Sequence, residues 1–259
     1  MPQFIALPAF QDNYIWLIAN EKTLQVAAVD PGDAQPVITW LSRHPEYQLS
    51  TILLTHHHRD HTGGVLTLKA GTDCKVWGPV NSSIQGIDRA LEDGFKVQLF
   101  GHEVEVLAVP GHTLDHIAYY CADAENPWLL SGDTLFAGGC GRLFEGSAEQ
   151  MHQSLGRLAA LPADTTIYCT HEYTQANLRF AHAVEPDNAD IKTRLEVVDD
   201  LRRDGRMTLP TTLALEKRTN PFLRSTVPEV VAAAARHSGA ATAPGVPTFA
   251  AIRAWKDIF

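Results

Sequence analysis

The first two thirds of the chain alternate short apolar runs with turn-forming residues. The earliest runs are Phe4–Leu7, Tyr14–Ile18 and Val26–Val29. Asp12-Asn13 and Asp30-Pro31-Gly32 follow as turn signals between or after them. Short β-type runs separated by such turns predict hairpins rather than helices at this end of the chain.

Further strands and the first helices follow in alternation. The predicted strands are Thr51–Thr55, Lys75–Trp77, Lys96–Leu99, Glu103–Val109, Ile117–Cys121, Trp128–Leu130 and Thr166–Cys169. Helical spacing marks Pro36–Arg43, a helix can begin at Val65, and Ser147 with Gln150 forms a capping box for a helix through Leu158. Strands with interspersed helices indicate an α/β fold whose sheets are covered by helices.

After residue 172 helical spacing replaces the strand pattern. Tyr173–Val184 and Ala189–Arg203 are predicted helices, the second closed by Gly205. Thr226 with Glu229 predicts a further capping box, and Gly239 the end of that helix. We therefore expect two domains, residues 1–172 and residues 173–259. Since no flexible linker separates them, the helical part should pack against the first.

Composition excludes several classes of protein. A chain of 259 residues with 45% apolar and 20% charged residues is typical of a globular protein with a sizeable core. Its net charge of −9 argues against a nucleic-acid partner, which requires a basic face. Four scattered cysteines without a C-x-x-C pair favour the reducing cytoplasm. No apolar run approaches the ~18 residues of a membrane span, and we expect a monomer.

The stretch from Ile52 to Gly64 carries the most concentrated chemistry. His56, His58, Asp60 and His61 leave the carboxyl end of a buried strand together. Imidazole nitrogens and carboxylate oxygens are preferred ligands of Zn²⁺ and its first-row neighbours. Open α/β sheets place their sites at this end of their strands. The stretch therefore predicts a metal site.

Three more candidate ligands directly follow predicted strands. They are His112, Asp133 and His171. Each alone fits an ordinary turn or surface residue, but their shared placement at strand ends favours one site. His116 is expected to support the site rather than to bind metal. We interpret His44, His57, His102, His152, His182 and His237 as surface or packing residues.

The segment Thr55–His61 resembles the T-H-x-H-x-D-H motif of the metallo-β-lactamase superfamily. The resemblance implies an αββα sandwich that binds two divalent metal ions per chain. His56, His58 and His112 would hold one ion, Asp60, His61 and His171 the other, and Asp133 would bridge them. Zn²⁺ is the preferred ion, and Fe or Mn also suits these donors. The motif alone admits thioester hydrolases, lactonases and nucleases.

Longer motifs over the whole chain resemble the hydroxyacylglutathione hydrolases, also called glyoxalase II. They include Gly139–Gly146, Thr170–Tyr173, Thr219–Arg224 and Arg253–Lys256. This resemblance implies a smaller all-helical carboxyl-terminal domain. Its implied glutathione contacts are Arg142, Phe144, Tyr173, Arg253 and Lys256. Arg142 stands where some members have Lys, and Phe144 where some have Tyr.

The implied reaction is hydrolysis of an S-(2-hydroxyacyl)glutathione such as S-D-lactoylglutathione, the second step of methylglyoxal detoxification. A hydroxide bound between the two ions would attack the thioester carbonyl, with Asp60 and Asp133 as catalytic residues. The partner would then be a small glutathione thioester. Two alternatives are a glutathione persulfide dioxygenase with a single iron and a non-catalytic module that binds glutathione or metal.

Overall fold

Two six-stranded β-sheets face each other in the computed structural model, which describes residues 2–122 and 125–259. The first sheet contains β1 (Gln3–Ala9), β2 (Asn13–Asn20), β3 (Gln25–Val29), β4 (Gln48–Leu53), β5 (Lys75–Pro79) and β6 (Arg89–Leu91) in that order. The second contains β7 (Lys96–Leu99), β8 (His102–Ala108), β9 (Ile117–Cys121), β10 (Trp128–Gly132), β13 (Thr166–Cys169) and β14 (Thr211–Thr212). A short hairpin of β11 (Leu135–Phe136) and β12 (Gly139–Cys140) stands apart.

The amino-terminal hairpins predicted from the sequence are confirmed. Strand β2 pairs antiparallel with β1 and with β3. The remaining pairs, β3 with β4, β4 with β5 and β5 with β6, are parallel. Parallel neighbours require a crossover connection, which α1 (Ala34–Arg43) provides between β3 and β4. Helices α2 (Arg59–Thr62) and α3 (Val65–Gly71) lie between β4 and β5.

The layers follow the order helix, sheet, sheet, helix. Apolar side chains of both sheets, such as Trp16 and Tyr119, form the core between them. Val37 and Leu68 of the first helices cover the outer face of the first sheet. The remaining helices are α4 (Ala148–Ala159), α5 (Thr174–Val184), α6 (Ala189–Arg203), α7 (Leu213–Thr219), α8 (Pro228–Ser238) and α9 (Val246–Ile258). Side chains of α4, α5, α8 and α9 share one apolar cluster with the outer face of the second sheet.

The carboxyl-terminal part is helical, as expected, but it also contributes a strand. Thr211 and Thr212 pair antiparallel with β13 and extend the second sheet. The expectation of an all-helical segment is wrong at these two residues. Their β-branched side chains suit a strand, and their pairing covers a sheet edge whose backbone groups would otherwise lack partners.

One predicted helix cap is confirmed and another is wrong. Both hydrogen bonds of the capping box between Ser147 and Gln150 are present at the start of α4. The capping box predicted for Thr226 is absent, since α8 begins at Pro228 with Val227 as its N-cap. The ring of a proline fixes φ near its helical value. Its missing N–H is no loss at the first helical position, because an N–H there has no acceptor within the helix. Gly239 ends α8 in the left-handed conformation, as predicted.

Two expectations from composition can be compared with the structure. All four cysteines are buried and free, in agreement with their interpretation as small apolar residues. Over residues 2–122 and 125–259, no helix combines the length and the apolar character required to cross a membrane.

A buried ion pair connects the helical part to the sandwich. Arg194 of α6 contacts the carboxylate of Glu216 in α7, and both side chains are almost inaccessible to solvent. Glu216 also accepts hydrogen bonds from the hydroxyl of Thr211 (2.7 Å) and from the backbone N–H of Gly138 (2.7 Å). One carboxylate therefore holds α6, β14 and the turn between β11 and β12.

Glu216→Ala should lower the free energy of unfolding by about 3–5 kcal/mol, because it leaves the Arg194 charge buried and unpaired. Urea denaturation at constant metal content measures this change. Asp200→Ala is the control, since Asp200 pairs with Arg203 on the surface and should contribute less than about 1 kcal/mol. Equal losses in the two variants would contradict the role of Glu216.

Candidate active site

The loop after β4 carries four of the predicted ligands and is fixed by Asp30. The backbone N–H of Thr55 donates to one carboxylate oxygen of Asp30 (2.8 Å), and the Thr55 hydroxyl donates to the other (2.7 Å). The second oxygen also lies 3.1 Å from Nδ1 of His61. A single buried carboxylate thus contacts both ends of the loop.

Two glycines permit close backbone packing around this loop. A Cβ atom at Gly32 would lie 1.7 Å from the carbonyl oxygen of Asp60, so a side chain cannot fit there without moving α2. Gly132 has a φ of 48° and lies against Thr55 and His116. Glycine adopts this conformation readily, and a Cβ atom here would lie 2.5 Å from the hydroxyl oxygen of Thr55.

The structure brings all seven predicted metal ligands together at one edge of the sandwich. Their ligand atoms form three groups, each within 4.8 Å: His56, His58 and His112; His56, His61 and Asp133; Asp60, His61 and His171. The middle group shares His56 with the first and His61 with the third. The first and third groups are the two ligand sets implied by the motif, and Asp133 lies between them.

Outer hydrogen-bond partners orient the imidazole rings. Nδ1 of His171 lies 2.9 Å from a carboxylate oxygen of Asp12, and Nδ1 of His112 lies 2.8 Å from the carbonyl oxygen of Arg142. A ring nitrogen held by an acceptor leaves the other nitrogen free to bind metal. Asp60 is oriented in a similar way, since the amide of Asn13 donates to its carboxylate (3.1 Å).

Some buried polar atoms of the site lack hydrogen-bond partners, and they indicate whether these residues can bind a metal. Nε2 of His56, Nε2 of His61 and Oδ1 of Asp133 are buried, and none has a hydrogen-bond partner. Buried polar atoms are nearly always satisfied in proteins. Nitrogen and carboxylate donors that converge without partners are therefore the arrangement expected for divalent cations. The site binds divalent metal.

The pKa values of the histidines shift in opposite directions in the two ligand sets. Burial and neighbouring imidazoles lower the pKa values of His56, His58 and His112. Burial also acts to lower the pKa values of His61 and His171, but Asp133 and other carboxylates outweigh it and raise them.

The two carboxylates of the site show the opposite balance. Burial acts to raise the pKa values of Asp60 and Asp133, but contacts with histidines outweigh it and lower both. Both carboxylates are therefore ionised and can serve as ligands.

A cavity of about 590 Å³ opens beside the predicted metal ligands. Its lining includes all five predicted substrate contacts: Arg142, Phe144, Tyr173, Arg253 and Lys256. The ring of Tyr173 stacks on His171 at 4.7 Å, and Phe144 contacts the rings of His58 and His112 edge to face. Side chains from both parts of the chain therefore border one cavity with the metal ligands.

The basic residues of α9 differ in their surroundings. The guanidinium of Arg253 is buried and donates to the carbonyl oxygen of Cys140 (3.0 Å) and to Asp257 (3.0 Å). Its Nε is buried and has no partner. Lys256 is half-buried, and its ammonium donates only a long hydrogen bond to the carbonyl oxygen of Ala176 (3.4 Å). Lys256 is thus freer than Arg253 to meet an anion.

Several supporting residues were not assigned a role from the sequence. Asp12 precedes β2, Asn13 is its first residue and Asp30 follows β3, and only the sheet order brings them to the predicted ligands. A polar residue at a strand end was the signal that could have identified them. His116 lies behind the site as expected: its Nε2 accepts from the backbone N–H of Asp133 (3.0 Å), and burial lowers its pKa to about 3.

Family models match both parts of the chain. Residues 14–171 match the metallo-beta-lactamase superfamily, and residues 172–259 match the hydroxyacylglutathione hydrolase C-terminus. A relative from Pseudomonas fluorescens (strain SBW25) is described as hydroxyacylglutathione hydrolase. It is 56% identical over 259 residues, which is 100% of both chains.

Solved structures show the same fold at lower identity. The crystal structure of ETHE1 from Myxococcus xanthus has a TM-score of 0.66 and 26% identity, covering 100% of this chain and 99% of that one. The crystal structure of TTHA1623 in a di-iron-bound form has a TM-score of 0.58 and 27% identity, covering 85% of this chain and 100% of that one.

Sequence identity over the full length, both family models and the converging ligands agree. The chain belongs to the hydroxyacylglutathione hydrolase family of the metallo-β-lactamase superfamily.

Proposed function

We propose that this protein hydrolyses S-(2-hydroxyacyl)glutathione thioesters, with S-D-lactoylglutathione as substrate, to glutathione and a 2-hydroxy acid. The observation that carries the proposal is the shared cavity, which is lined both by metal ligands and by basic side chains of α9. The metal ligands suit attack on a carbonyl group, and the basic residues suit the carboxylates of glutathione. Full-length relatives described as hydroxyacylglutathione hydrolases support it further.

Two divalent ions, preferably Zn²⁺, would be held by the converging side chains. His56, His58 and His112 form one set, and Asp60, His61 and His171 form the other, with Asp133 shared. Two such ions, when bound, lower the pKa of water from 15.7 to about 7 and polarise the oxygen of an attacked carbonyl. The absence of thiolate ligands leaves Fe and Mn as alternatives.

The carboxylates of Asp60 and Asp133 remain ionised because neighbouring histidines lower their pKa values despite burial. Asn13 fixes the orientation of Asp60, which can therefore accept a hydrogen bond from an attacking water. A new carbon–oxygen bond then replaces the carbon–sulfur bond, and the sulfur leaves as the thiolate of glutathione. Since a thiolate is a good leaving group, no strong general acid is required of the protein.

We assign chemistry to residues 1–172 and most of the substrate recognition to residues 173–259. Arg142, Phe144 and Tyr173 lie beside the metal ligands and would contact the peptide part of glutathione. Lys256 would bind a carboxylate directly, and Arg253 would support it from its buried position. The four free cysteines fit a location in the reducing cytoplasm.

A glutathione persulfide dioxygenase with a single iron is the alternative from the same superfamily. Two overlapping ligand sets and a shared carboxylate favour a pair of ions instead. Oxygen consumption with glutathione persulfide, measured beside thiol release from the thioester, distinguishes the two reactions.

The purified, metal-loaded protein should release free thiol from S-D-lactoylglutathione. The variant Lys256→Ala should raise KM for this substrate at least tenfold with little change in kcat. A charge-assisted contact contributes roughly 1.5–3 kcal/mol, and a contact far from the reacting carbonyl acts on binding. Lys192→Ala, an exposed lysine of α6, is the matched control. Oxygen uptake without thiol release by the parent would reject the proposed function. A parent-level KM in Lys256→Ala would reject the carboxylate contact alone.

Asp133→Ala should remove both ions, because this carboxylate is the only proposed ligand shared by the two sets. The parent should contain about two ions per chain by elemental mass spectrometry. His44→Ala should keep both, since His44 contacts the carbonyl oxygen of Trp40 at the end of α1. Full metal content in Asp133→Ala would be incompatible with a bridging role.

Acidification should release the ions in two steps. A raised pKa means that His61 and His171 take up protons at higher pH than His56, His58 and His112, whose pKa values are lowered. A protonated imidazole cannot bind metal. Metal content after dialysis over a pH series should therefore fall from about two ions to about one before the second is lost. Simultaneous loss of both ions would show that the sets do not differ as proposed.

A further inference from the structure

His57 occupies an unusual position for a residue expected only to pack on the surface. Its Nδ1 lies 2.9 Å from a carboxylate oxygen of Asp115, and its Nε2 lies 3.2 Å from one of Glu145. Both ring nitrogens thus face a carboxylate, which leaves neither available as a metal ligand. His57 nevertheless precedes the metal ligand His58, and the two rings contact each other at 5.1 Å.

The two carboxylates belong to different loops of the site. Asp115 follows the loop that carries His112, and hydroxyl groups of Ser82 (2.5 Å) and Thr113 (2.7 Å) donate to it. It is therefore a fixed anchor. Glu145 lies on the segment after β12, where it also accepts from the backbone N–H of Leu114 (2.8 Å). His57 joins the two loops to the loop that carries His58.

Glu145 directly follows Phe144, whose side chain is 63% exposed. The Phe144 ring stands edge to face over His58 (5.5 Å) and His112 (5.3 Å). Its backbone N–H makes only a long hydrogen bond to the carbonyl oxygen of His112 (3.2 Å). The adjacent contact between Glu145 and His57 therefore restricts where this ring can lie.

The contact between His57 and Glu145 positions these side chains but adds little to the stability of the fold. The side chains of His57 and Glu145 are 27% and 36% exposed, and pairs that reach solvent add little to stability. A ring fixed in advance over the cavity, in contrast, spares a ligand the cost of ordering it.

We propose that His57 is a positioning residue for substrate: it holds Glu145 and thereby fixes Phe144 over His58 and His112. This inference rests on the proposed function, because it gives Phe144 the role of a glutathione contact. His57 itself does not touch the reacting atoms.

The first test measures binding without catalysis. His57→Ala should raise the Kd for S-hexylglutathione, a thioether that cannot be hydrolysed, by up to about tenfold, the cost of ordering one side chain on binding. KM for S-D-lactoylglutathione should rise equally, while kcat, metal content and the unfolding midpoint stay near parent values. His44→Ala controls for removal of a histidine elsewhere.

A double-mutant cycle distinguishes positioning from general loosening of the structure. If His57 acts through Phe144, adding His57→Ala to Phe144→Ala should not weaken binding further. Glu145→Ala should weaken binding at least as much as His57→Ala, because it also removes the acceptor of the Leu114 N–H. Glu145→Gln should keep binding near the parent value, because its amide oxygen can accept from Leu114 while its NH2 group donates to Nε2 of the imidazole.

Independent, additive losses in the cycle would overturn the proposal, as would a loss of kcat or metal with unchanged Kd. Failure of the proposed function gives a different result: the parent would bind the thioether without hydrolysing the thioester, and the binding cycle would still decide the role of His57. A parent that does not bind the thioether would overturn both.

Discussion

Burial of imidazoles and carboxylates at the shared edge of the two sheets costs free energy. Polar contacts from the surrounding structure offset much of this cost. His56 and His61 are fully buried, and a polar group without a partner in such a place is costly. Asp30, Asp12 and the carbonyl oxygen of Arg142 engage the outer side of the ligands. The inner atoms are left to metal, so that metal binding and the stability of this edge are coupled.

The hairpin of β11 and β12 connects the predicted metal ligands with the predicted substrate contacts. It lies in the chain between Asp133 and Arg142, and residues far along the chain anchor it. The amide of Asn220 donates to the carbonyl oxygens of Phe136 (3.2 Å) and Gly139 (2.9 Å), and Arg253 donates to that of Cys140. These contacts fix the position of α9 relative to the metal ligands. Recognition of one end of a substrate can therefore align the other end for reaction.

The cavity also brings side chains of both charges together. The protein has a net charge of −9, yet Arg142, Arg253 and Lys256 line one cavity, with Asp257 beside the two arginines. Asp60 and Asp133 line the same cavity, so an anionic ligand would meet positive charge at Arg142 and Lys256 rather than over the whole lining. Exposed aromatic rings, Phe144 and Tyr173, add apolar contact. This combination suits a ligand that bears both carboxylates and a peptide backbone.

The sequence by itself determined the elements and the metal donors, because both are local properties. Strand and helix periodicity extends over a few residues, and a histidine motif after a buried strand predicts its own chemistry. Partners distant in the chain were decided only by tertiary structure. Arg253 and Cys140 are 113 positions apart, and no local pattern reveals that the expected anion-binding guanidinium already has a carbonyl partner. No local pattern reveals the pairing of β14 with β13 or the contacts of His57 either, because sheet order and loop packing decide which distant polar groups meet.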